Sequence, residues 1–186
     1  MALETSNKIA NPYAAPKAQV DDAATVTGAE PAFFPVSLLK LALMSLATFG
    51  LYEIYWSYRN WKCVQRMPYM TYEKPNAPIR AFFYPLTSYW LFLHIREQSR
   101  VLDGTGTLQA GLLALTVLAF RLLARRPDPY WLLCLLGFLP LLPVQSVVNR
   151  INRRIAPDAD PNARFGGWNI LLLVVAASLL ALGLML

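Results

Sequence analysis

The sequence is poor in the residues that build disulfides, metal sites and soluble surfaces. Two cysteines, Cys63 and Cys134, are too few for a disulfide framework. The single histidine, His94, excludes a bis-histidine haem or a multi-histidine metal site within one chain. Charged residues make up 15% of the 186 positions, against about 25% in an average soluble domain. We therefore expect no metal site and no cofactor.

Apolar residues dominate instead, at 56% of the chain, and the mean hydropathy is +0.37. This composition excludes an intrinsically disordered chain, a coiled coil and a nucleic-acid-binding tail. It also disfavours an ordinary soluble domain, because the apolar residues lie in long runs. We predict an all-α integral membrane protein whose partner is the lipid bilayer and not a nucleic acid.

Residues 1–32 differ from the rest of the chain. They contain no apolar run of seven residues, and alanine, proline and acidic residues dominate. No basic region precedes a hydrophobic one, so a cleavable signal peptide is not expected. We interpret 1–32 as a flexible polar tail and 33–186 as a helical membrane domain.

Four apolar stretches approach the ~17–25 residues that a helix needs to cross a bilayer. They are Val36–Trp56, Leu108–Leu123, Tyr130–Val147 and Trp168–Leu186. Prolines 140 and 143 in the third stretch predict a kink or local unwinding near its end. A fifth stretch, Ala81–Ile95, is ambiguous, because an apolar run of this length can also lie in the interface, re-enter the membrane or pack within a bundle.

The placement of lysine and arginine separates these topologies, since basic residues concentrate in cytoplasmic loops. Four spans with the tail outside put eleven basic residues inside and four outside, whereas a fifth span gives eight on each side. The sequence therefore favours four transmembrane helices plus one interfacial or re-entrant helix. An alternative keeps Val36–Trp56 flat on the inner surface with the tail inside, which leaves three spans. Both versions place the carboxyl terminus outside.

Two basic segments are predicted to contact anionic lipid headgroups at the inner surface. In the first, an aromatic-rich passage leads into Arg59, Lys62 and Arg66, which share one helix face. The second is an amphipathic helix over 144–155, with an apolar stripe of valine and isoleucine. Its polar face is predicted to hold Gln145, Asn149, Arg150, Asn152, Arg153 and Arg154.

Two motifs carry a resemblance. The tail contains Asn11-Pro12-Tyr13-Ala-Ala-Pro16, and the first apolar segment ends in Thr48-Phe49-Gly50-Leu51-Tyr52-x-Ile54-Tyr55-Trp56. Both resemble uncharacterised bacterial inner-membrane proteins of a domain-of-unknown-function family. The resemblance covers less than a third of the chain. It implies an inner-membrane location and brings no activity with it.

Glu53 is the candidate for a polar site within the membrane. A carboxylate there is costly unless it is paired, protonated or hydrated, and its neighbours one turn away are not basic. We expect a partner from another segment, with His94, Arg96 and Arg80 as candidates, while Arg121 is expected to snorkel to the interface.

No nucleophile–base pair is visible, so no catalytic residue is predicted. The leading hypothesis is an accessory, assembly or envelope-associated membrane protein that works through helix packing and a basic inner face, as a homo-oligomer or with a membrane-protein partner. The alternative is a small oligomeric transporter or channel subunit that uses Glu53 and the broken span at Pro140 and Pro143. A lipid-modifying enzyme built on Glu53, His94 and Glu97 is a third possibility.

Overall fold

The structure is a computed structural model that describes residues 29–67, 75–104, 106–127 and 130–185. Within these ranges the chain forms seven α-helices and one 3-10 helix and contains no β-strand, which confirms the all-α prediction. The α-helices are α1 (Leu38–Ala47), α2 (Leu51–Val64), α3 (Ala77–Phe82), α4 (Tyr84–Asp103), α5 (Ala110–Leu123), α6 (Leu141–Ile155) and α7 (Gly167–Met185). The 3-10 helix, Tyr130–Phe138, lies between α5 and α6.

Helices α1 and α2 are the two arms of a hairpin, which we call the first hairpin. Ser37 begins α1 by accepting a hydrogen bond from the backbone N–H of Lys40. At the other end the backbone of Phe49 and Gly50 is left-handed, with φ of 50° and 85°. The N–H of Gly50 donates to the carbonyl of Ser45 at 2.8 Å, and this bond closes the helix end as a Schellman motif does. The chain therefore leaves α1 here and reverses.

The two ends of the first hairpin meet at α6. The indole N–H of Trp56 donates to Oε1 of Gln145 at 2.6 Å, and Nε2 of Gln145 donates to the carbonyl of Phe34 at 3.3 Å. The rings of Phe34 and Tyr55 also lie edge to face, with centres 5.8 Å apart. The prediction that Val36–Trp56 crosses a membrane as one helix is wrong, because its start and its end are held by the same side chain.

Helices α3 and α4 form a second hairpin, which turns at Phe83. The guanidinium carbon of Arg80 lies 4.5 Å from the centre of the Trp61 ring, and the His94 ring lies 5.9 Å from the same ring. The ambiguous stretch Ala81–Ile95 comprises the last residues of α3, the turn at Phe83 and the first three turns of α4. From Tyr84 to Ile95 it is one continuous helix of about 17 Å.

The 3-10 helix and α6 follow each other with a turn at Leu139 and Pro140. Together they supply Leu132–Ile155, which is 24 residues long and contains a window of 18 residues with a mean hydropathy of 1.8. Among the described residues it is the one helical stretch long and apolar enough to cross a membrane. The predicted kink is present at Pro140. Pro143 lies in the first turn of α6, where its missing N–H breaks no helical bond.

The helices meet one another at two levels of the fold, the base and the tip. At the base, the ends of α2, α4 and α6 converge, and Nη1 of Arg154 donates to the carbonyl of Leu102 at 3.1 Å. At the tip, the turn of the first hairpin meets the end of α5, where Nη2 of Arg121 donates to the carbonyl of Gly50 at 3.3 Å.

The last residues of the predicted tail are attached to the base. Residues 1–28, with the motif at Asn11–Pro16, lie outside the described part of the chain. Beyond them, the carboxylate of Glu30 pairs with Arg66 at 2.8 Å, and the Phe33 ring is fully buried. Glu30 and Phe33 therefore contact the helical part of the chain.

Candidate functional site

The buried carboxylate of Glu53 is paired with Arg121. Nη2 of Arg121 lies 2.6 Å from Oε2 of Glu53, and the two side chains are 24% and 1% exposed. The predicted need for a partner from another segment is thus met by α5. Arg121 does not turn away to the interface as expected, because its guanidinium also bonds the carbonyl of Gly50.

Two glycines lie beside this ion pair. A Cβ atom on Gly50 would lie 2.7 Å from both terminal nitrogens of Arg121, which is closer than real Cβ atoms approach. A Cβ atom on Gly137 would meet the carboxylate of Glu53 at 3.5 Å, an ordinary contact. Gly50 is therefore required for the position of Arg121, whereas the space beside Gly137 accepts a methyl group.

Two further hydroxyl groups are buried near the pair. Tyr84 is fully buried and lies close enough to interact electrostatically with both Glu53 and Arg121. Ser57, one helical turn after Glu53, is also fully buried. Among the described residues neither hydroxyl has a hydrogen-bond partner. The region around the ion pair thus also contains two buried hydroxyl groups that can form further hydrogen bonds.

The other two members of the predicted polar site lie elsewhere. His94 packs against Trp61, which follows Glu53 by eight residues, or about 12 Å along the helix. Arg96 is half-buried and lies closer to the base than His94 does. The residue that completes the Glu53 site, Arg121, had a sequence signal, since it is a basic residue inside an apolar stretch.

A second polar cluster, the amide clamp, holds the segment before α1. Its members are Asn60 from α2 and Gln145, Asn149 and Asn152 from α6. Each bonds a backbone N–H or carbonyl of residues 33–36 at 2.9–3.3 Å, and Asn152 bonds both groups of Phe33.

The amide clamp changes the interpretation of α6. The predicted apolar stripe of Val144, Val148 and Ile151 is buried, as expected. However, Gln145 and Asn152, which were assigned to the exposed polar face, are 0% and 6% exposed. A helical pattern of polar residues does not distinguish an exposed amide from a buried amide that bonds a neighbouring backbone. The extended segment 33–36 beside α6 makes this difference for Gln145 and Asn152.

Lys40 binds the loop between α6 and α7. Its ammonium donates to Oδ1 of Asn162 at 2.8 Å and to the carbonyl of Arg164 at 2.7 Å. Its contacts place the start of α1 at the base, with the start of α7.

The predicted headgroup-contact residues lie at the base. Arg59 and Lys62 are exposed on α2, and Arg66 is exposed in the turn that follows this helix. On α6, Arg153 and Arg154 are exposed, while Arg150 is half-buried and donates to Ser99 of α4 at 3.4 Å. Together these residues form one basic surface, the basic face: Arg59, Lys62, Arg66, Arg150, Arg153 and Arg154.

Comparisons with known proteins give no further assignment. No family model matches the chain, and neither the curated proteins nor the solved structures give a match. Within the described residues, no group of three or more histidine, cysteine or acidic side chains is arranged to hold a metal ion. The resemblance to an inner-membrane family therefore stays a prediction.

Proposed function

We propose that this chain is a bacterial inner-membrane protein with three spans, formed by α5, by the 3-10 helix with α6, and by α7. The two hairpins enter the bilayer from the cytoplasmic side and return to it. The amino-terminal tail is then cytoplasmic, and the carboxyl terminus is periplasmic. This threading keeps the three-span alternative of the sequence but replaces a flat first segment with a re-entrant hairpin.

The observation that carries this proposal is the tie between Phe34, Trp56 and Gln145. A first span would place the two ends of Val36–Trp56 on opposite sides of the bilayer, about 30 Å apart for 20 residue steps. Instead, Gln145 bonds both ends within 3.3 Å. A hairpin that returns to its starting side satisfies both bonds.

The outer surface supports a lipid environment. Large apolar side chains are exposed on many helices, which is unusual for a protein surrounded by water. Examples are 64% exposure at Leu39, 68% at Leu51, 62% at Leu115 and 56% at Val174. In a bilayer these side chains contact acyl chains.

The distribution of charge supports the proposed orientation. Among the described basic residues, Arg121, Arg125 and Arg126 lie at the tip end of the fold, and the others lie in the base half. Arg121 is moreover neutralised by Glu53. A cytoplasmic base therefore follows from the excess of basic residues on cytoplasmic sides.

Within this threading, an accessory or assembly role fits best. The polar groups of the first hairpin are largely used in bonds that hold the chain together, namely the Glu53–Arg121 pair and the amide clamp. The base presents basic residues and the flanks present apolar ones, which are surfaces for lipid and for other membrane proteins.

Labelling of single cysteines tests the threading, because the three-span and four-span versions differ on the side of the tail. Ser6→Cys, Arg126→Cys and Ala159→Cys are each made in a background with Cys63→Ser and Cys134→Ser. We expect an impermeant maleimide to label Arg126→Cys in intact spheroplasts, and the other two only after permeabilisation. Labelling of Ser6→Cys in intact spheroplasts would overturn the three-span threading.

The transporter alternative is favoured by one observation, the ion pair at the tip with unpartnered hydroxyls of Tyr84 and Ser57 beside it. Charged groups inside a bilayer frequently mark ion or proton pathways. If the pair conducts, protein in liposomes shows a proton or cation flux that Glu53→Gln abolishes and Arg125→Gln leaves intact. Absence of flux from the unmodified protein would contradict this alternative.

A further inference from the structure

A trough runs along the exposed face of α2 at the base. Two neighbouring cavities, of about 500 and 470 Å³, share Glu30, Cys63 and Arg66 in their walls. Arg59 lines the first cavity with Phe34 and Tyr55. The trough therefore contains two arginines seven residues apart, about 10 Å along the helix.

Arg59 is positioned for an anionic ligand. Its guanidinium carbon lies 4.8 Å from the centre of the Phe34 ring, and its Nη1 donates to the Tyr55 hydroxyl at 3.1 Å. Stacking on an aromatic ring orients a guanidinium without using its N–H groups. The side chain is exposed, so its further donors are available to a phosphate.

Arg66 already holds an anion of the same chain. The carboxylate of Glu30 pairs with it at 2.8 Å, and both side chains are mostly exposed, at 66% and 76%. Exposed ion pairs such as this one contribute little to stability. A phosphate, which binds arginine in two-pronged geometry, can therefore displace Glu30 from Arg66.

An apolar groove continues from this trough toward the tip. A third cavity of about 430 Å³ shares Phe34, Tyr55 and Asn162 with the trough. It runs between the first hairpin and α7 and is lined by Met44, Leu51 and Leu172, among others. A phosphate site at the basic end and an apolar groove leading into the bilayer match the two parts of a phospholipid.

We propose that trough and groove together bind one anionic phospholipid, with its phosphate between Arg59 and Arg66 and an acyl chain along Met44, Leu51 and Leu172. Glu30 competes for Arg66 and weakens the site. The proposal rests on the membrane location given above, but binding in detergent micelles tests the site without depending on the threading.

Cys63 provides the readout, because it lines the trough. In a Cys134→Ser background, the rate of maleimide modification of Cys63 is followed during titration with short-chain dihexanoyl lipids. We expect dihexanoyl-phosphatidylglycerol to slow the modification at least 5-fold. Dihexanoyl-phosphatidylcholine and inorganic phosphate should slow it less than 2-fold. Equal protection by the two lipids, or protection by inorganic phosphate alone, would overturn the proposal.

Variants then separate the two halves of the site. Arg59→Gln and Arg66→Gln should each raise the lipid concentration for half-protection at least 5-fold, and Glu30→Gln should lower it. Leu172→Trp fills the groove and should abolish protection. The matched control is Leu171→Trp, at the preceding residue of α7, which does not line the groove. Unchanged protection in both arginine variants, or in Leu172→Trp, contradicts the assignment. Arg66→Lys, which keeps the charge, guards against loss through misfolding and should retain most of the protection.

Discussion

Trp56 donates its indole N–H to the side-chain oxygen of Gln145 at 2.6 Å, across 89 positions of the sequence. Both residues are fully buried. The remaining donors of Gln145 go to the carbonyl of Phe34 and to Asn149, so one amide joins α2, α6 and the segment before α1. The first hairpin is fixed to the rest of the fold at this point.

Removal of this amide should therefore loosen the first hairpin. Gln145→Met keeps the volume but leaves the Trp56 N–H and the Phe34 carbonyl without a partner, and each buried group of this kind costs about 1–3 kcal/mol. We expect a loss of about 2–3 kcal/mol in the free energy of unfolding, measured by SDS titration in mixed micelles. The control is Ser146→Ala on the exposed side of α6, which should change it by less than about 0.5 kcal/mol. A neutral Gln145→Met would show that the clamp contributes nothing to stability.

The pair of Glu53 and Arg121 should behave as one unit. Arg121→Met leaves a carboxylate that is 1% exposed without its partner, and breaking a buried pair costs about 3–5 kcal/mol. Adding Glu53→Gln removes the stranded charge, so the double variant should be more stable than Arg121→Met alone. The same SDS titration measures Arg121→Met, Glu53→Gln and the double variant. Additive changes in the free energy of unfolding would contradict the coupling.

The sequence predicted parts of this architecture well. The all-α class and the apolar stripe of α6 both follow from helical periodicity, which is a local property. The break at Pro140 follows equally from the missing N–H of proline. These features need no knowledge of distant contacts.

The first hairpin was missed because its turn lacks a strong signal. Val36–Trp56 is long enough to span a bilayer, and the reversal at Phe49 and Gly50 shows in the sequence only as a glycine. Phe49 adopts a left-handed backbone that phenylalanine rarely takes. The reversal is fixed by contacts with Gln145 and Arg121, which lie 70 or more positions away and are invisible to a local pattern.

Gly50 and Gly137 provide a matched pair of substitutions at the tip. Gly50→Ala forces a left-handed alanine, at about 1–2 kcal/mol, and pushes the guanidinium of Arg121 away from Glu53. Gly137→Ala adds a methyl group at ordinary contact distance from Glu53. We expect Gly50→Ala to lower the midpoint of thermal unfolding by several degrees more than Gly137→Ala. Equal shifts would mean that Gly50 is not needed to position Arg121.

Cys63 should become reactive at a higher pH than an ordinary cysteine does. Burial is the main cause that raises the pKa of the Cys63 thiol, and the nearby Arg66 and Arg59 offset only part of it. A raised pKa means a smaller thiolate fraction at a given pH, and the thiolate is the reactive form. In the Cys134→Ser background without added lipid, the rate of maleimide modification of Cys63 should increase at a higher pH in the folded protein than in the SDS-unfolded protein. Coincident pH profiles for the folded and unfolded protein would contradict this expectation.

A measured distance between α1 and α2 distinguishes a hairpin from a continuous helix most directly. Leu39 is 64% exposed and Arg59 is also exposed, so spin labels can be attached at both positions without replacing a buried side chain. A continuous helix would separate the two Cα atoms by about 30 Å, at 1.5 Å for each of 20 steps. In the hairpin, Phe34 bonds Asn60 at 3.2 Å, which brings the two labelled positions to within about 20 Å because Leu39 follows Phe34 by only five residues. Pulsed electron spin resonance in nanodiscs measures this distance, and labels at Tyr89 and Val101 on the unbroken α4 calibrate it at about 18 Å. A distance near 30 Å for the first pair would mean that Val36–Trp56 is a single span. The tail would then lie outside and not, as proposed, in the cytoplasm.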